Sequence, residues 1–380
     1  MLCVHFRPVV GGAERQAERL AHALLRRGCH VEVLTSWIDP DWPERESHEG
    51  LTIRRFPLTD LGRSLRWLPG RGLPNLLIER REVHRAIRRH LEEFDLLHMH
   101  IASPVAAFAL EAAHALGKPV LCKVACGGTG FDFVKLRAAS VFGERLQRRL
   151  VAGVDGWVAI SREVRGDLRA AGVPDDRIVS IPNGIDAAAY PAPRPRPPAR
   201  RFLCMGRHAK LDLATLLVAF DAIAAALPAV ELRIAGVGDA ALVQRQLERL
   251  PHARPRTAVV GVSPVEKEFA WADALVHPSL AEGIANTLLE AMCDGLPVIA
   301  SDIPPNREVL DAGRGGLLVP LHDALALQEA MHLLAGQPLL AARRTEAARR
   351  RVEEHYAIDA IASRYLPVYD ALLGALPKDA

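Results

Sequence analysis

The sequence predicts an α/β fold of two doubly wound domains, each a mainly parallel sheet covered on both faces, with a cleft between them. Three observations predict it. Short apolar runs alternate with amphipathic stretches along nearly the whole chain, which is the pattern of βαβ units. A length of 380 residues exceeds one ordinary core and suits two domains of roughly 200 residues or fewer. Between the halves lies PAPRPRPPAR, with five prolines in residues 191–200, where missing donors and fixed φ make a stiff linker. The expected division is 1–190, the linker 191–200, a second domain 201–355, and a helical segment 356–380 that can cross back to the first domain.

The elements follow in order. Residues 2–6, 31–35, 96–100, 120–124, 156–160 and 178–181 are short apolar runs that read as strands, with helical patterns at 14–27 and 79–90 between them. The second half repeats the alternation, with strands at 201–205, 230–235, 257–260, 274–277, 298–300 and 316–319. Its helices are expected at 215–226, 240–250, 287–293 and 323–334, and an amphipathic pair closes the chain at 346–376. The first strand begins immediately after Met1, which suggests a start codon further upstream or a clipped strand.

Composition narrows the function. A net charge of +3 is too small to argue for nucleic acid, and no arginine-aromatic module supports that partner. Six scattered cysteines without a CxxC pair read as reduced thiols, which leads us to expect a cytoplasmic protein. Arg7 and Pro8 interrupt the apolar N-terminus, against a secretory signal, and no run of 18 apolar residues suggests a membrane span.

The richest stretch is HPSLAEGIANTLLEAMCDGLPVIASDIPP, residues 277–305. Glu282 and Glu290 are separated by seven residues, with Gly283, an Asn286-Thr287 pair and the start of an apolar helix between them. Strands are expected on both sides, so Glu282 falls on a loop at the carboxyl end of a strand and Glu290 a turn into the next helix. Ligands of open α/β sheets bind at that edge, and a helix N-terminus there attracts phosphate. Thr287-Leu-Leu-Glu290 also fits a capping box, which offers Glu290 a structural role but leaves Glu282-Gly283 unexplained. Arg207 and Lys210 follow the strand at 201–205, where two cations can neutralise a diphosphate leaving group; the plain alternative is a solvated basic turn.

Taken whole, these motifs resemble the family 4 glycosyltransferases, enzymes of the GT-B fold with two Rossmann-like domains that transfer sugars with retention of configuration. The resemblance runs nearly end to end, through VGGAER (10–15), DLLHMH (95–100), IPNGID (181–186), GR…K (206–210), AGVGD (235–239) and the E-x7-E block. It implies that Glu290 binds the nucleotide ribose and Glu282 the donor sugar. It also implies that the loop from Gly283 through Ile284, Ala285, Asn286 and Thr287 holds the distal phosphate and sugar. Gly12 is implied to close over the donor phosphates, and His100 to contact the donor sugar at the reacting centre. The family normally spaces the arginine and lysine five or six residues apart, whereas Arg207 and Lys210 are three apart.

The resemblance thus implies a hexose-type transferase acting from a nucleotide-sugar donor on a glycan, lipid-linked or small-molecule hydroxyl acceptor. Its charge stabilisation would come from Arg207, Lys210 and the loop amides, with no cofactor and no obligatory metal. A nucleotide-sugar epimerase on the same fold and a non-catalytic nucleotide-binding subunit are the alternatives. His98 and His100 share a strand face, but the sequence places no third metal ligand beside them. Asp39-Pro40-Asp41 reads as a solvated turn, and Gly236-Val-Gly238-Asp-Ala-Ala241 as a lining of the nucleotide site. Residues 54–89 carry ten arginines among interspersed leucines, a composition suited to an anionic acceptor or to peripheral contact with the inner membrane face.

Overall fold

The computed structural model describes residues 1–9, 11–59, 73–139, 142–190 and 196–375. The chain divides into two units, the first Met1–Gly184 together with the chain from Ile358, the second Ile185–Ala357. The break after Gly184 precedes the expected one at 190. Of the Pro-rich segment, 191–195 lie outside the described residues, and the remainder is fastened to the second unit. Arg196 donates to the Ala272 carbonyl at 3.0 Å and pairs with Asp294 at 2.5 Å, while the Ala199 amide bonds the Leu334 carbonyl. The prolines supply no donors, so Arg196 and Ala199 make the attachment.

In the first unit the strands are β1 (Leu2–Cys3), β2 (Glu32–Trp37), β3 (Arg45–His48), β4 (Leu51–Pro57), β5 (Leu97–His100), β6 (Val120–Val124), β7 (Gly156–Ala159) and β8 (Ile178–Ser180). They form one sheet in the order β3-β4-β2-β1-β5-β6-β7-β8, parallel except for the β3–β4 pair. The order reverses between β1 and β5, so the switch point lies beside the loops that follow those two strands. Helices α1 (Gly12–Leu25), α2 (Leu73–His90), α3 (Pro104–His114), α4 (Asp132–Ala139), α5 (Gly143–Gly153) and α6 (Arg162–Ala170) belong to this unit. Leu20 and Leu24 of α1 pack with Val33, Ile53 and Val158 and with Ile361 and Tyr365 of the final helix.

The β3–β4 hairpin was not expected from the sequence. It turns through Glu49 and Gly50, at φ 48° and 82°, the left-handed pair that a two-residue hairpin turn requires. Strand β4 buries Leu51, Ile53 and Phe56 while placing Arg54 and Arg55 within it, and the terminal nitrogens of Arg55 donate to Glu46 and the carbonyls of Pro43 and Arg7. Two arginines of the basic segment are therefore structural.

The second unit contains β9 (Arg201–Met205), β10 (Glu231–Ala235), β11 (Thr257–Gly261), β12 (Ala274–His277), β13 (Val298–Ser301) and β14 (Leu317–Val319). All pair in parallel in the order β11-β10-β9-β12-β13-β14, a dinucleotide-fold arrangement whose switch point falls between β9 and β12. Its helices are α7 (Leu213–Ala226), α8 (Ala240–Leu247), α9 (Val265–Trp271), α10 (Asn286–Asp294), α11 (Pro304–Val309), α12 (Ala324–Gly336) and α13 (Pro338–His355). The last helix, α14 (Ile358–Gly374), belongs to the first unit. Phe202, Leu217, Phe220 and Ile234 centre the core.

Candidate active site

Strands β9 and β12 are neighbours, with Leu203 opposite Leu275, and the loops that leave them are stitched together. The Leu280 amide donates to the Lys210 carbonyl at 2.9 Å, the Asp212 amide to Pro278 at 2.8 Å, and Leu211 bridges Ser279. That stitching turns the short Arg207–Lys210 loop inward. Lys210 Nζ lies 3.8 Å from Glu282 Oε2, and His277 Nε2 lies 3.5 Å from Oε1. Both separations exceed ordinary hydrogen-bond length, so these contacts are electrostatic and leave the carboxylate acceptor capacity. Burial pushes the Glu282 carboxyl upward, but His277, Lys210 and Arg207 outweigh it and hold it below its usual range.

The loop needs its own support. Ser279 and Asn306 are fully buried, and Asn306 Nδ2 donates to Ser279 Oγ at 3.2 Å and to the Ser301 carbonyl at 2.9 Å. Asp212 caps α7 through Thr215 and meets His322 Nδ1 at 2.6 Å. Sequence reasoning missed all of these. For Asp212 a signal existed, since an aspartate directly before an apolar helix marks an N-cap.

Helix α10 begins at Asn286 with Ala285 at its N-cap and no side-chain cap. The capping-box reading of Thr287 is thus corrected: Thr287 lies inside the first turn, and Glu290 is too far along the helix to reach back to the cap. Gly283, Ile284 and Ala285 are buried, whereas Asn286 and Thr287 are partly exposed. Glu290 is 1% exposed, beneath the loop and not at its surface. An N-terminus closed by alanine keeps its dipole available to an anion.

Arg207 is exposed and precedes the short 3₁₀ turn His208–Lys210. The preceding backbone approaches its neighbour very closely. Gly236, at φ 127°, would place a Cβ 1.9 Å from the Gly206 carbonyl, so only glycine allows the β9 and β10 loops to meet. Asp239 caps α8 through the Leu242 amide.

The remaining candidates belong to the first unit. Gly12 opens α1 at the carboxyl edge beside β1, and Val10 of its motif lies outside the described residues. His100 ends β5, is 5% exposed and stacks on His98 at 4.6 Å between ring centroids. His98 Nδ1 meets the Tyr369 hydroxyl at 2.9 Å. Burial keeps both imidazoles well below their usual range, hence neutral, with the Met1 ammonium and Lys123 adding to it and His98 acting in addition on His100. Asp39 accepts from the Asp41 amide in a local turn. Among the described residues, no group of three or more His, Cys, Asp or Glu side chains is disposed to hold a metal ion. The six cysteines are unpaired with one another, and five are buried.

Of the basic segment, 60–72 lie outside the described residues. Arg54 pairs with Glu32 and Arg80 with Glu111. Helix α2 exposes Leu73 and Leu77 by 54% and 55%, with Arg81, Arg85 and Arg88 also exposed. No described helix is long and apolar enough to cross a membrane.

Two doubly wound units, one with paired cations and a half-buried glutamate at its switch point, define an enzyme of the GT-B glycosyltransferase fold. Residues 10–189 match Glycosyltransferase Family 4, and residues 199–337 match Glycosyl transferases group 1. The chain belongs to the family 4 glycosyltransferases. It is 28% identical over 390 residues to a phosphatidyl-myo-inositol mannosyltransferase of Mycolicibacterium smegmatis, covering 99% of this chain and 94% of that one. It is 27% identical to a D-inositol 3-phosphate glycosyltransferase of Xylanimonas cellulosilytica, covering 97% and 95%. Among solved structures, the sucrose-phosphate synthase of Thermosynechococcus elongatus superposes with a TM-score of 0.78 over 98% of both chains, at 22% identity.

Proposed function

We propose that this glycosyltransferase moves a hexose-type sugar from a nucleotide-sugar donor to a hydroxyl acceptor with retention of configuration. The second unit holds the donor. Arg207 and Lys210 neutralise the diphosphate as the glycosidic bond breaks, and the Gly283–Thr287 backbone at the uncapped end of α10 meets the distal phosphate. Glu282 accepts from sugar hydroxyls, and Glu290 receives the ribose once the loop above it adjusts. The acceptor hydroxyl attacks the anomeric carbon and its proton passes to a phosphate oxygen, so the reaction runs without an obligatory metal. The observation that carries this reading is Glu282, half-buried, ionised and facing Lys210 and His277 across 3.8 and 3.5 Å.

A thermal-shift panel of UDP-, GDP-, ADP- and dTDP-sugars identifies the donor, because a bound ligand raises the melting temperature by mass action. The named relatives, a phosphatidyl-myo-inositol mannosyltransferase and a D-inositol 3-phosphate glycosyltransferase, support an acceptor reading: both named acceptors carry phosphate on a polyol, and we assign this chain a phosphate-bearing polyol or lipid-linked acceptor. If no nucleotide sugar shifts the melting temperature, the proposal fails at its first step.

A peripheral membrane contact is favoured by one specific observation, the exposure of Leu73 and Leu77 beside Arg81, Arg85 and Arg88 on α2. Apolar side chains among cations suit an anionic lipid surface, which supports a peripheral position at the cytoplasmic face of a membrane. Sedimentation with phosphatidylglycerol vesicles should fall with added salt and with Arg81→Glu. Equal binding to phosphatidylcholine vesicles would refute the contact.

A further inference from the structure

Lys123 is the fourth residue of the five-residue apolar strand β6, yet among the described residues its ammonium has no hydrogen-bond partner. It is 4% exposed, and its Nζ is out of solvent with no hydrogen bond. The register explains the setting. Cys3 of β1 stands opposite His100 of β5, and His100 opposite Lys123 of β6, so the three side chains form a row on one face, near the carboxyl edge by the first unit's switch point. The groups that face Lys123 offer it no counter-charge. His98 and His100 are neutral, with the Met1 ammonium also acting on them. The one ionisable group that favours the lysine's charge is Cys3, whose thiol burial pushes up to about 12. Glu14 of α1 acts on Cys3, and Asp132 is committed to the amides of Ala102 and Ala125.

An unpaired amine held away from water is costly if charged. A packing role would be filled better by leucine or methionine. The edge just beyond it is open and strained. Ala125, two residues on and on the same face, is partly exposed, and the loop continues through Gly127, Gly128 and Gly130. Ile101, directly after His100, holds φ 79° while its amide bonds the Lys123 carbonyl at 2.9 Å, a conformation a β-branched residue seldom adopts. A lysine's four-carbon stem lets the ammonium swing from the row to that edge.

We propose that Lys123 is a substrate-contacting residue of the first unit that binds the phosphate of an incoming substrate. This rests on the glycosyl-transfer reading, in which both the donor diphosphate and a phosphate-bearing acceptor are sources of such a group. Burial lowers the ammonium to about 7, so the ligand-free amine is poised to take up a proton when an anion arrives. Binding at this point should therefore weaken as pH rises through that value.

The test uses the full chain and its Lys123→Met and Lys123→Arg variants, followed by thermal shift at pH 6 and pH 8.5. The acceptor arm is glycerophospho-myo-inositol, a diester whose charge is constant over this range, and the donor arm is UDP or GDP. In the wild type, the shift from one of the arms is larger at pH 6. In Lys123→Met that shift is lost, the ligand-free melting temperature is equal or higher, and Lys123→Arg restores part of the binding. The arm that loses its response names the source of the phosphate. Retention of both shifts in Lys123→Met, or a fall of several degrees in its ligand-free melting temperature, overturns the proposal in favour of a packing role. If Lys123→Met does not fold, that too overturns it. The donor arm keeps the two readings apart. A wild-type chain that ignores every nucleotide sugar sinks the transferase reading, whereas one that binds donors but gives no Lys123-dependent response sinks this inference alone.

Discussion

Two carboxylates flank strand β12, each facing a cation, Asp273 buried directly before it and Glu282 half-buried on the loop after it, and they behave as opposites. At the amino end Asp273 is 4% exposed and fully engaged. It accepts from the Arg200 amide at 3.1 Å, the Arg201 amide at 2.9 Å and the Arg201 guanidinium at 2.8 Å. On the loop after the carboxyl end Glu282 is 15% exposed, with His277 Nε2 at 3.5 Å and the Lys210 ammonium at 3.8 Å. Both carboxyls lie below their usual range despite burial. The lesson is that charge environment alone does not separate a structural carboxylate from a working one. Saturation does: Asp273 has spent its acceptor capacity on the chain, and Glu282 has kept it.

The largest expected effect breaks the pair at its functional end. Glu282→Gln should lower kcat by about a hundredfold or more, the scale of losing one charge-positioning group, while the melting temperature stays level or rises. A variant that transfers sugar at the wild-type rate removes Glu282 from the mechanism. Lys210→Met comes next. Without Lys210 the Glu282 carboxyl moves up toward its ordinary value of 4.5, so the acid limb of the pH–rate profile should shift to higher pH. An unmoved limb would mean that the 3.8 Å contact does not tune the carboxylate.

Asp273→Asn tests the structural end. It should leave kcat nearly unchanged and cost about 1–3 kcal/mol of stability, the range for disturbing a buried, charge-assisted hydrogen-bond set. The sign of its pH dependence follows from the lowered carboxyl. Its contribution is fully present above the ordinary value of 3.8 and is lost as pH falls through the lower folded value. Chemical denaturation between pH 5 and pH 2.5 should show the wild type losing more stability than Asp273→Asn over that interval. Equal losses would show that Asp273 is not the group responsible.

Much of this comparison was legible in the sequence, and the illegible part has physical causes. Alternating apolar runs located most of the strands, because strands buried on both faces carry near-continuous hydrophobic sequence. The β3–β4 hairpin escaped because Arg54 and Arg55 break the apolar signal, and Arg55 is buried only by virtue of three acceptors brought from elsewhere in the chain. Glu282 was conspicuous as a carboxylate beside glycine with no local role. His277, Ser279 and Asn306 were not, since their work depends on which loops the sheet order makes adjacent. Lys123 was hidden for a similar reason: one lysine in VLCKV looks like a strand end, and only the register with Cys3 and His100 reveals its isolation.

The smallest expected effect separates the two accounts of the α10 terminus. If Thr287 capped the helix, Thr287→Ala would cost about 1 kcal/mol. The cap position instead belongs to Ala285, whose side chain can bond nothing, so the stability cost should stay within about 0.5 kcal/mol, as for substitutions away from special features. Donor affinity should nevertheless fall, because Thr287 is partly exposed in the first turn, where a hydroxyl meets whatever anion the helix dipole draws in. Urea denaturation and donor titration on the same variant give both readings. A stability loss of a full cap with unchanged affinity would return Thr287 to a structural role, and would leave Glu282 as the only side chain of this loop, unlike Asp273, reserved for a ligand.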